Sequence, residues 1–317
     1  MNKTIPTLLG KTSPDEMGFT LVHEHLLFWP VPAKYEMTAA YFLRENIFRA
    51  KDRGIRTIVD VSPQRDVKRL REVCRDTGMN LILSTGYYIE RHRLVCPDIY
   101  DRTVEEDQEV MEREIKEGID GTGIKAGVIK VAGNGDELTP WETKVFTAAA
   151  RASVKTKTPI CTHSCKGQAA QQRALINAGA DLSHVYYSHP EAKFGWEGRD
   201  VKAQLEYFVN IVKEGSSLMF NNFDFYFDTP KEELLFLLRE LSDRGYLENI
   251  LISIDLNFEI DDEGLVWPEA SKQHPETRRR DYGYVADHVV PLLKSEGFTQ
   301  TEIDAIFVGN PKRIFDF

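Results

Sequence analysis

The residues best suited to chemistry begin with two histidines set two apart, His23 and His25, at the end of the apolar run Phe19-Thr20-Leu21-Val22. In a strand, positions i and i+2 share a face, so both imidazoles would point the same way. Imidazole nitrogens suit Zn²⁺ and related divalent ions. An isolated His-x-His can equally be two structural histidines, so the rest of the chain must supply partners. Four further groups do so: Lys130 inside Gly127-Val128-Ile129-Lys130-Val131, His163, His189, and Asp255 after Ile250-Leu251-Ile252-Ser253-Ile254. A lysine within an apolar run is costly unless it is paired or modified. Four imidazoles and one carboxylate can hold two divalent metals. A protonated lysine is no ligand, whereas a carbamate made from Lys130 and CO₂ would be anionic, with two oxygens able to bridge two ions. Two such ions can hold a hydroxide at neutral pH, and one can polarise a carbonyl or phosphoryl oxygen. Asp255 could ligate one ion and accept the proton of the attacking water.

These groups cooperate only if the fold gathers them. Short apolar segments at 19–26, 57–61, 80–85, 125–131, 159–163, 183–189, 217–221 and 250–255 read as strands. Helical patterns fall between them, at 38–53, 66–76, 104–116, 141–156, 167–178, 199–214 and 231–244, and helical turns close the chain at 284–294 and 301–306. In the first helix Ala39, Phe42, Leu43, Ile47 and Ala50 recur near the 3.6-residue period, and Gly54 stops it. Strands alternating with helices imply a parallel sheet. The early glycine-rich fingerprint of an open doubly wound sheet is missing. An α/β fold of the (β/α)₈ TIM-barrel type accommodates every strand. It forms a single domain over 1–317, with a lead-in over 1–17 and a long loop after strand eight, about 256–284. Barrels carry their chemistry at strand C-termini. His23, His25, Lys130, His163, His189 and Asp255 all fall at that end.

The bulk numbers set limits. The chain has 317 residues, 42% hydrophobic and 28% charged, with a formal net charge of -10. That balance gives no support to nucleic acid or an anionic membrane as the main partner. No apolar run approaches transmembrane length, and MNKTIPTLLGKTSPDE lacks the apolar core of a secretory signal. Cys74, Cys96, Cys161 and Cys165 are too sparse for a disulfide framework. A soluble, cytoplasmic protein acting on a small molecule is expected. Cys161 shares a strand face with His163 and could approach a metal or simply fill the core. His184 starts strand six, at the wrong end for chemistry, and reads as structural.

With these residues assembled, the chain resembles the phosphotriesterase-related branch of the amidohydrolase superfamily, which includes the phosphotriesterase-like lactonases. The matching pieces are HEH at 23–25, Thr85-Gly86-Tyr87, IK at 129–130, THS at 162–164, SH at 188–189, SID at 253–255, YGYVADHVVPLLKSEG at 282–297 and GNPKRIF at 309–315. Together they span essentially the whole chain. The resemblance implies an amidohydrolase-type barrel with a binuclear metal centre. It assigns His23, His25 and Asp255 to the more buried ion, His163 and His189 to the more exposed one, and carboxylated Lys130 with a hydroxide as bridges. It also implies zinc as the usual metal, with cobalt, manganese or iron as alternatives, and a homodimer. The stretch from Pro190 to Asp200 departs from the His-Leu/Cys-x-Asp type of pattern expected there. Asp200 reads as either a proton relay or the N-cap of the next helix.

Such a centre would direct hydroxide at a lactone carbonyl or a phosphotriester alike. The loop after strand eight carries Lys272, His274, Arg278, Arg279 and Arg280. Arginines fork onto phosphate oxygens, although a solvated face or ion pairs with acidic residues would account for them equally. Lys272, Arg278, Arg279 and Arg280 are therefore candidate substrate contacts, together with Tyr87 and Tyr88. Asn222, Phe225, Tyr226 and Trp267 could shape the pocket, and the glycine-rich turn after strand four, with nearby Lys125, offers another anion site. The expected function is a metal-dependent lactonase opening phosphorylated sugar lactones. The alternatives are a phosphotriesterase or acyl-homoserine lactonase and, outside catalysis, a degenerate barrel that binds a small molecule.

Overall fold

Eight parallel strands pair in strict chain order: β1 (Phe19–Glu24), β2 (Ile55–Asp60), β3 (Asn80–Gly86), β4 (Val128–Ala132), β5 (Ile160–His163), β6 (Val185–Ser188), β7 (Ser217–Phe220) and β8 (Ile250–Ile252). The computed structural model describes residues 3–26, 31–62, 66–90, 100–133, 135–192, 200–268 and 270–317. Helices return the chain between strands: α1 (Glu36–Asp52), α2 (Val67–Cys74), α3 (Val104–Lys116), α4 (Pro140–Thr156), α5 (Gln168–Asn177), α6 (Val201–Val212) and α7 (Lys231–Leu241). The arrangement is the expected (β/α)₈ barrel, nearly closed. α3 and α4 begin with capping boxes, Thr103 with Glu106 and Thr139 with Glu142, which satisfy the orphan N–H groups of their first turns.

Strand alternation sorts the core into two layers. Val22, Val59, Ile82, Val128, Cys161, Tyr186, Met219 and Leu251, one from each strand, fill the barrel interior with Ile5, Met17, Ile314 and Phe315. Their neighbours Leu21, Ile58, Leu81, Ile129, Ile160, Tyr187, Leu218 and Ile252 pack outward against the helices. The register of β1 against β2 slips between Leu21 and Glu24. This irregularity lets consecutive Val22 and His23 both face inward, as a bulge re-aims a side chain.

The β8–β1 seam is closed largely by a side chain. The Glu24 carboxylate accepts hydrogen bonds from Ser253 Oγ at 2.6 Å, Ile254 N at 3.0 Å and Leu256 N at 2.7 Å. His23 N donates to Ser253 Oγ at 3.1 Å, and His25 N to the Leu256 carbonyl at 3.1 Å. Because these N–H groups turn toward Glu24, β8 ends at Ile252, and Asp255 lies beyond the strand rather than at its last position.

Other segments gain detail. The N-terminal lead-in is a hairpin, Ile5–Thr7 with Gly10–Thr12. The long segment after β8 contains a second hairpin, Phe258–Ile260 with Val266–Pro268, and a 3₁₀ turn over Pro275–Arg279. The Asp261 carboxylate organises that hairpin by accepting from Glu263 N, Leu265 N and Trp267 Nε1 at 3.0, 2.8 and 2.7 Å. The closing turns open to π geometry at Val285–Val289 and Ala305–Gly309. Each precedes a proline, Pro291 or Pro311, that lacks the N–H for an ordinary α-turn. No helix among the described residues is long and apolar enough to cross a membrane.

Candidate metal centre

The site is assembled from strand ends, beginning with the backbone around Lys130. Gly86 closes β3 at φ +102°, and a Cβ there would lie 2.0 Å from the Lys130 carbonyl oxygen. Only glycine permits this approach. Tyr87 N then donates to that carbonyl at 2.9 Å. The Lys130 side chain is buried, with Nζ 3.1 Å from His23 Nε2 and 3.8 Å from Cys161 Sγ. Among the described residues it forms no ion pair with a carboxylate. Burial accordingly lowers its pKa.

Each imidazole has one nitrogen held by the scaffold or near a neighbour. His23 Nδ1 lies 2.7 Å from Ser188 Oγ, which leaves Nε2 toward Lys130 and 3.4 Å from Asp255 Oδ1. His25 Nδ1 lies 3.3 Å from Ser62 Oγ, and its Nε2 is 3.1 Å from the same Asp255 oxygen. Asp60 fixes that Ser62 hydroxyl and also accepts from Leu26 N at 3.2 Å. His189 Nδ1 lies 2.8 Å from Asn221 Oδ1 and 3.7 Å from Asp255 Oδ2. The His163 ring stands 4.6 Å from that of His189, centroid to centroid, and its Nε2 is 3.4 Å from the Tyr88 hydroxyl.

One ligand atom from each of His23, His189 and Asp255 lies within 4.8 Å of the others. His189 Nε2 is buried with no hydrogen-bond partner among the described residues, beside the Asp255 carboxylate, whose Oδ1 is met by His25 Nε2. Buried polar atoms are ordinarily satisfied, so this orphaned nitrogen beside an ionised carboxylate fits a divalent cation. His25 meets the Asp255 oxygen from the side, while Lys130 and His163 stand beside the three-residue cluster rather than in it. His189 and Asp255 adopt φ of 61° and 50°. Such left-handed backbone is uncommon for non-glycine residues and gathers at functional sites.

The electrostatics favour a ligand-ready state. Burial opposes ionisation of Asp255, but His189, His23 and His25 outweigh it and hold the carboxyl well below its usual range. Burial, reinforced by neighbouring Lys130, keeps His23 neutral, and burial with His189 does the same for His163. For His25 the bond to Asp255 overcomes burial and raises the pKa.

The remaining candidates scatter. The Tyr87 hydroxyl accepts from Arg102 at 3.0 Å and its ring lies 6.4 Å from that of Trp141, so it faces the helical layer. Tyr88 stands beside His163. Arg279 forks onto Asp224 with two contacts of 2.7 Å. Arg278 is exposed, with its guanidinium 4.9 Å from the Trp267 ring centre. Arg280 is buried, donates to the Ile254 carbonyl, lies 4.0 Å from the Phe225 ring centre and leaves Nε without a partner. Lys272 is exposed. Asp200 caps α6, accepting from Ala203 N at 2.8 Å. His184 bonds the Ile314 carbonyl at 2.7 Å, far from the centre. Lys125 precedes β4, at the opposite end of that strand from the glycine-rich turn. Cys74, Cys161 and Cys165 are buried free thiols. Cys96, the aromatic loop residues Phe28 and Trp29, Asn134 of the glycine-rich turn and most of the divergent stretch after His189 lie outside the described residues.

Several structural partners escape a reading of single residues. Glu24 sits between the two histidines and locks the seam. Glu191 does the equivalent at β7, where its Oε1 accepts from Asn221 N at 2.6 Å and Asn222 N at 2.8 Å. Burial pushes both glutamates up to about 7 despite these bonds. Ser188 and Asn221 orient His23 and His189. A glutamate within an apolar run was the available signal for Glu24; nothing in the spacing announces Asn221.

Comparison with known proteins agrees with this geometry. The model of the Phosphotriesterase family matches residues 3–315. The Phosphotriesterase homology protein of Escherichia coli (strain K12) is 30% identical over 312 residues, 95% of this chain and 99% of that protein. An Aryldialkylphosphatase of Saccharolobus solfataricus is 30% identical over 326 residues, covering 97% and 98%. A solved structure of a mutant PTE-like lactonase from Deinococcus radiodurans is 30% identical, covers 98% of this chain and 100% of its own, and superposes with a TM-score of 0.81. The barrel, the strand-end cluster and these matches converge: the chain belongs to the phosphotriesterase family of metal-associated hydrolases.

Proposed function

We propose that the chain is a metal-dependent lactonase that opens phosphorylated sugar lactones. The observation that carries the hydrolytic reading is the convergence of His23, His25, His189 and Asp255 beside a buried lysine that forms no ion pair with a carboxylate among the described residues. Two divalent ions, most readily Zn²⁺ but also Co²⁺, Mn²⁺ or Fe²⁺, would be held by His23, His25, His163, His189, Asp255 and carboxylated Lys130 and would supply Lewis acidity and a bridging hydroxide at neutral pH. Lys130 suits that role because burial favours its neutral amine. Its Nζ lone pair bonds to the carbon of CO₂ and the nitrogen releases a proton, giving an anionic carbamate. Asp255, held ionised by its histidines, accepts the proton of the attacking water. Glu24 and Arg280 hold the turn that presents it.

The substrate class rests on Arg280, buried with Nε unpaired, and on exposed Arg278 in the same loop. A guanidinium donates in a plane to phosphate oxygens. Phosphotriester hydrolysis is the second reading, favoured by the 30% identity to an Aryldialkylphosphatase. A panel of sugar lactones with and without a distal phosphate, assayed on metal-loaded protein, tests the first. Loss of the phosphate should lower kcat/KM by about tenfold or more, as expected when a charged partner is removed. Equal values would sink the phosphate assignment, and faster turnover of a dialkyl aryl phosphate would favour the second reading. Lys130→Ala should lower metal content and activity together; undiminished activity would remove Lys130 from the centre.

A further inference from the structure

We infer that the N-terminal end of the barrel carries a second small-molecule site, selective for an organic phosphate. A cavity of about 840 Å³ opens there, lined by the N-terminal hairpin and by the segments that lead into β4 and β5. Among the described residues five cationic ones line it, Lys3, Lys11, Arg71, Lys125 and Lys157, and no aspartate or glutamate does. That is contrary to the composition of the whole chain, in which 50 acidic residues outnumber 40 basic ones. Positive charge has therefore been gathered at one place in an acidic protein.

Several of these cations lack a protein counter-charge. Lys11, Arg71 and Lys125 form no ion pair among the described residues. Lys3 is bonded to the main-chain carboxyl oxygen of Phe317, and the Lys157 ammonium lies 4.7 Å from the Phe317 ring centre. Burial draws the Lys3 ammonium down to about 8, Asp316 at the rim opposes this, and Lys157 adds to it. Crowded like charges in a concave surface focus an attractive field for anions. Ile5, Leu9, Ile124 and Phe315 supply apolar wall, so an anion joined to an organic body fits better than a free ion. The volume is of the size that encloses a small metabolite, roughly 300–1,000 Å³. Catalytic groups are absent from the lining, so the ligand is bound rather than transformed.

The site is independent of the metal centre, which occupies the other end of the strands. Phenylphosphonate, whose carbon–phosphorus bond resists hydrolysis, is a suitable probe by calorimetric titration of the metal-loaded protein. Saturable binding should weaken by about tenfold in Lys125→Glu and in Arg71→Glu, as for loss of one charged contact. Both residues are exposed, so folding should survive, and Lys125→Arg should retain binding. Lactone kcat should be unchanged in all three. Absence of saturable binding would overturn the inference. So would binding that the charge reversals leave untouched, since the probe would then be seated at the metal centre.

Discussion

The two ends of this barrel are built on opposite terms. At the C-terminal end His23, Lys130, His189 and Glu24 are taken out of water, His189 and Asp255 are held in left-handed backbone, and His189 Nε2 has no partner among the described residues. At the N-terminal end, away from the basic cavity, polar contacts fasten the C-terminal segments to the barrel. Arg239 meets Glu302 at 2.6 Å and Asp243 at 2.8 Å, while Arg313 donates to the Ser183 carbonyl, Ser217 Oγ and the Glu248 carbonyl at 3.0, 3.0 and 2.8 Å. Ile314 and Phe315 plug the interior beneath them. One end is poised to gain a metal ion; this part of the other is held together by protein contacts. Substitutions at the first should move metal content and rate, and substitutions at these contacts should move melting temperature alone.

Asp255→Asn should break the contrast most strongly. The only carboxylate of the three-residue cluster loses its charge, so kcat/KM for the best lactone should fall roughly 10²–10³-fold, the scale of losing one electrostatic stabiliser. Metal content should fall with it. Unchanged metal content on elemental analysis would remove Asp255 from the ligand set. Glu24→Ala should cross the divide: three hydrogen bonds to a buried carboxylate are lost, and urea unfolding should show a stability decrease of about 3 kcal/mol together with weaker metal retention. A normal urea midpoint would mean that the seam does not depend on this side chain. Ser188→Ala should lower metal affinity by about 10–100-fold without altering Tm, as expected when the partner orienting a ligating imidazole is lost. Competition with a chelator would measure it, and an unaltered affinity would show that the serine does not orient His23.

The smallest effect is expected at these N-terminal contacts. Against burial, Arg239 and the Thr299 cap hold Glu302 down to about 2, below its ordinary 4.5. A depressed folded-state pKa contributes stability that is complete above 4.5 and lost as pH falls toward 2. Glu302→Gln should therefore lower Tm by about 2 °C at neutral pH, converge with the parent protein in acid, and leave kcat unchanged. A difference that persisted undiminished into acid would show that the pair is not its source.

The barrel is legible in the sequence because its strands are buried on both sides and its helices keep their period; each expected strand overlaps an observed one. Lys130 is legible for an energetic reason, since a cation inside Val-Ile-x-Val demands an explanation. Asp255 is legible as a residue but not as a position. Its strand stops early because Ile254 and Leu256 give their N–H groups to Glu24, a relation between segments about 230 residues apart. Arg278, Arg279 and Arg280 illustrate the limit. Adjacent and chemically identical, they meet an indole face, a carboxylate and a backbone carbonyl, and only the hairpin preceding them determines which.

The side-chain lock at the β8–β1 seam has a consequence for biosynthesis. A ribosome displays His23, Lys130, His163 and His189 long before it adds Asp255. At roughly 5–20 residues/s, the wait runs from a few seconds after His189 to tens of seconds after His23. Until the last strand docks, the chain offers imidazoles without their carboxylate, and β1 and β7 present open edges. The three-residue cluster is thereby incomplete until Asp255 is added, and docking of one short strand both shields those edges and completes it.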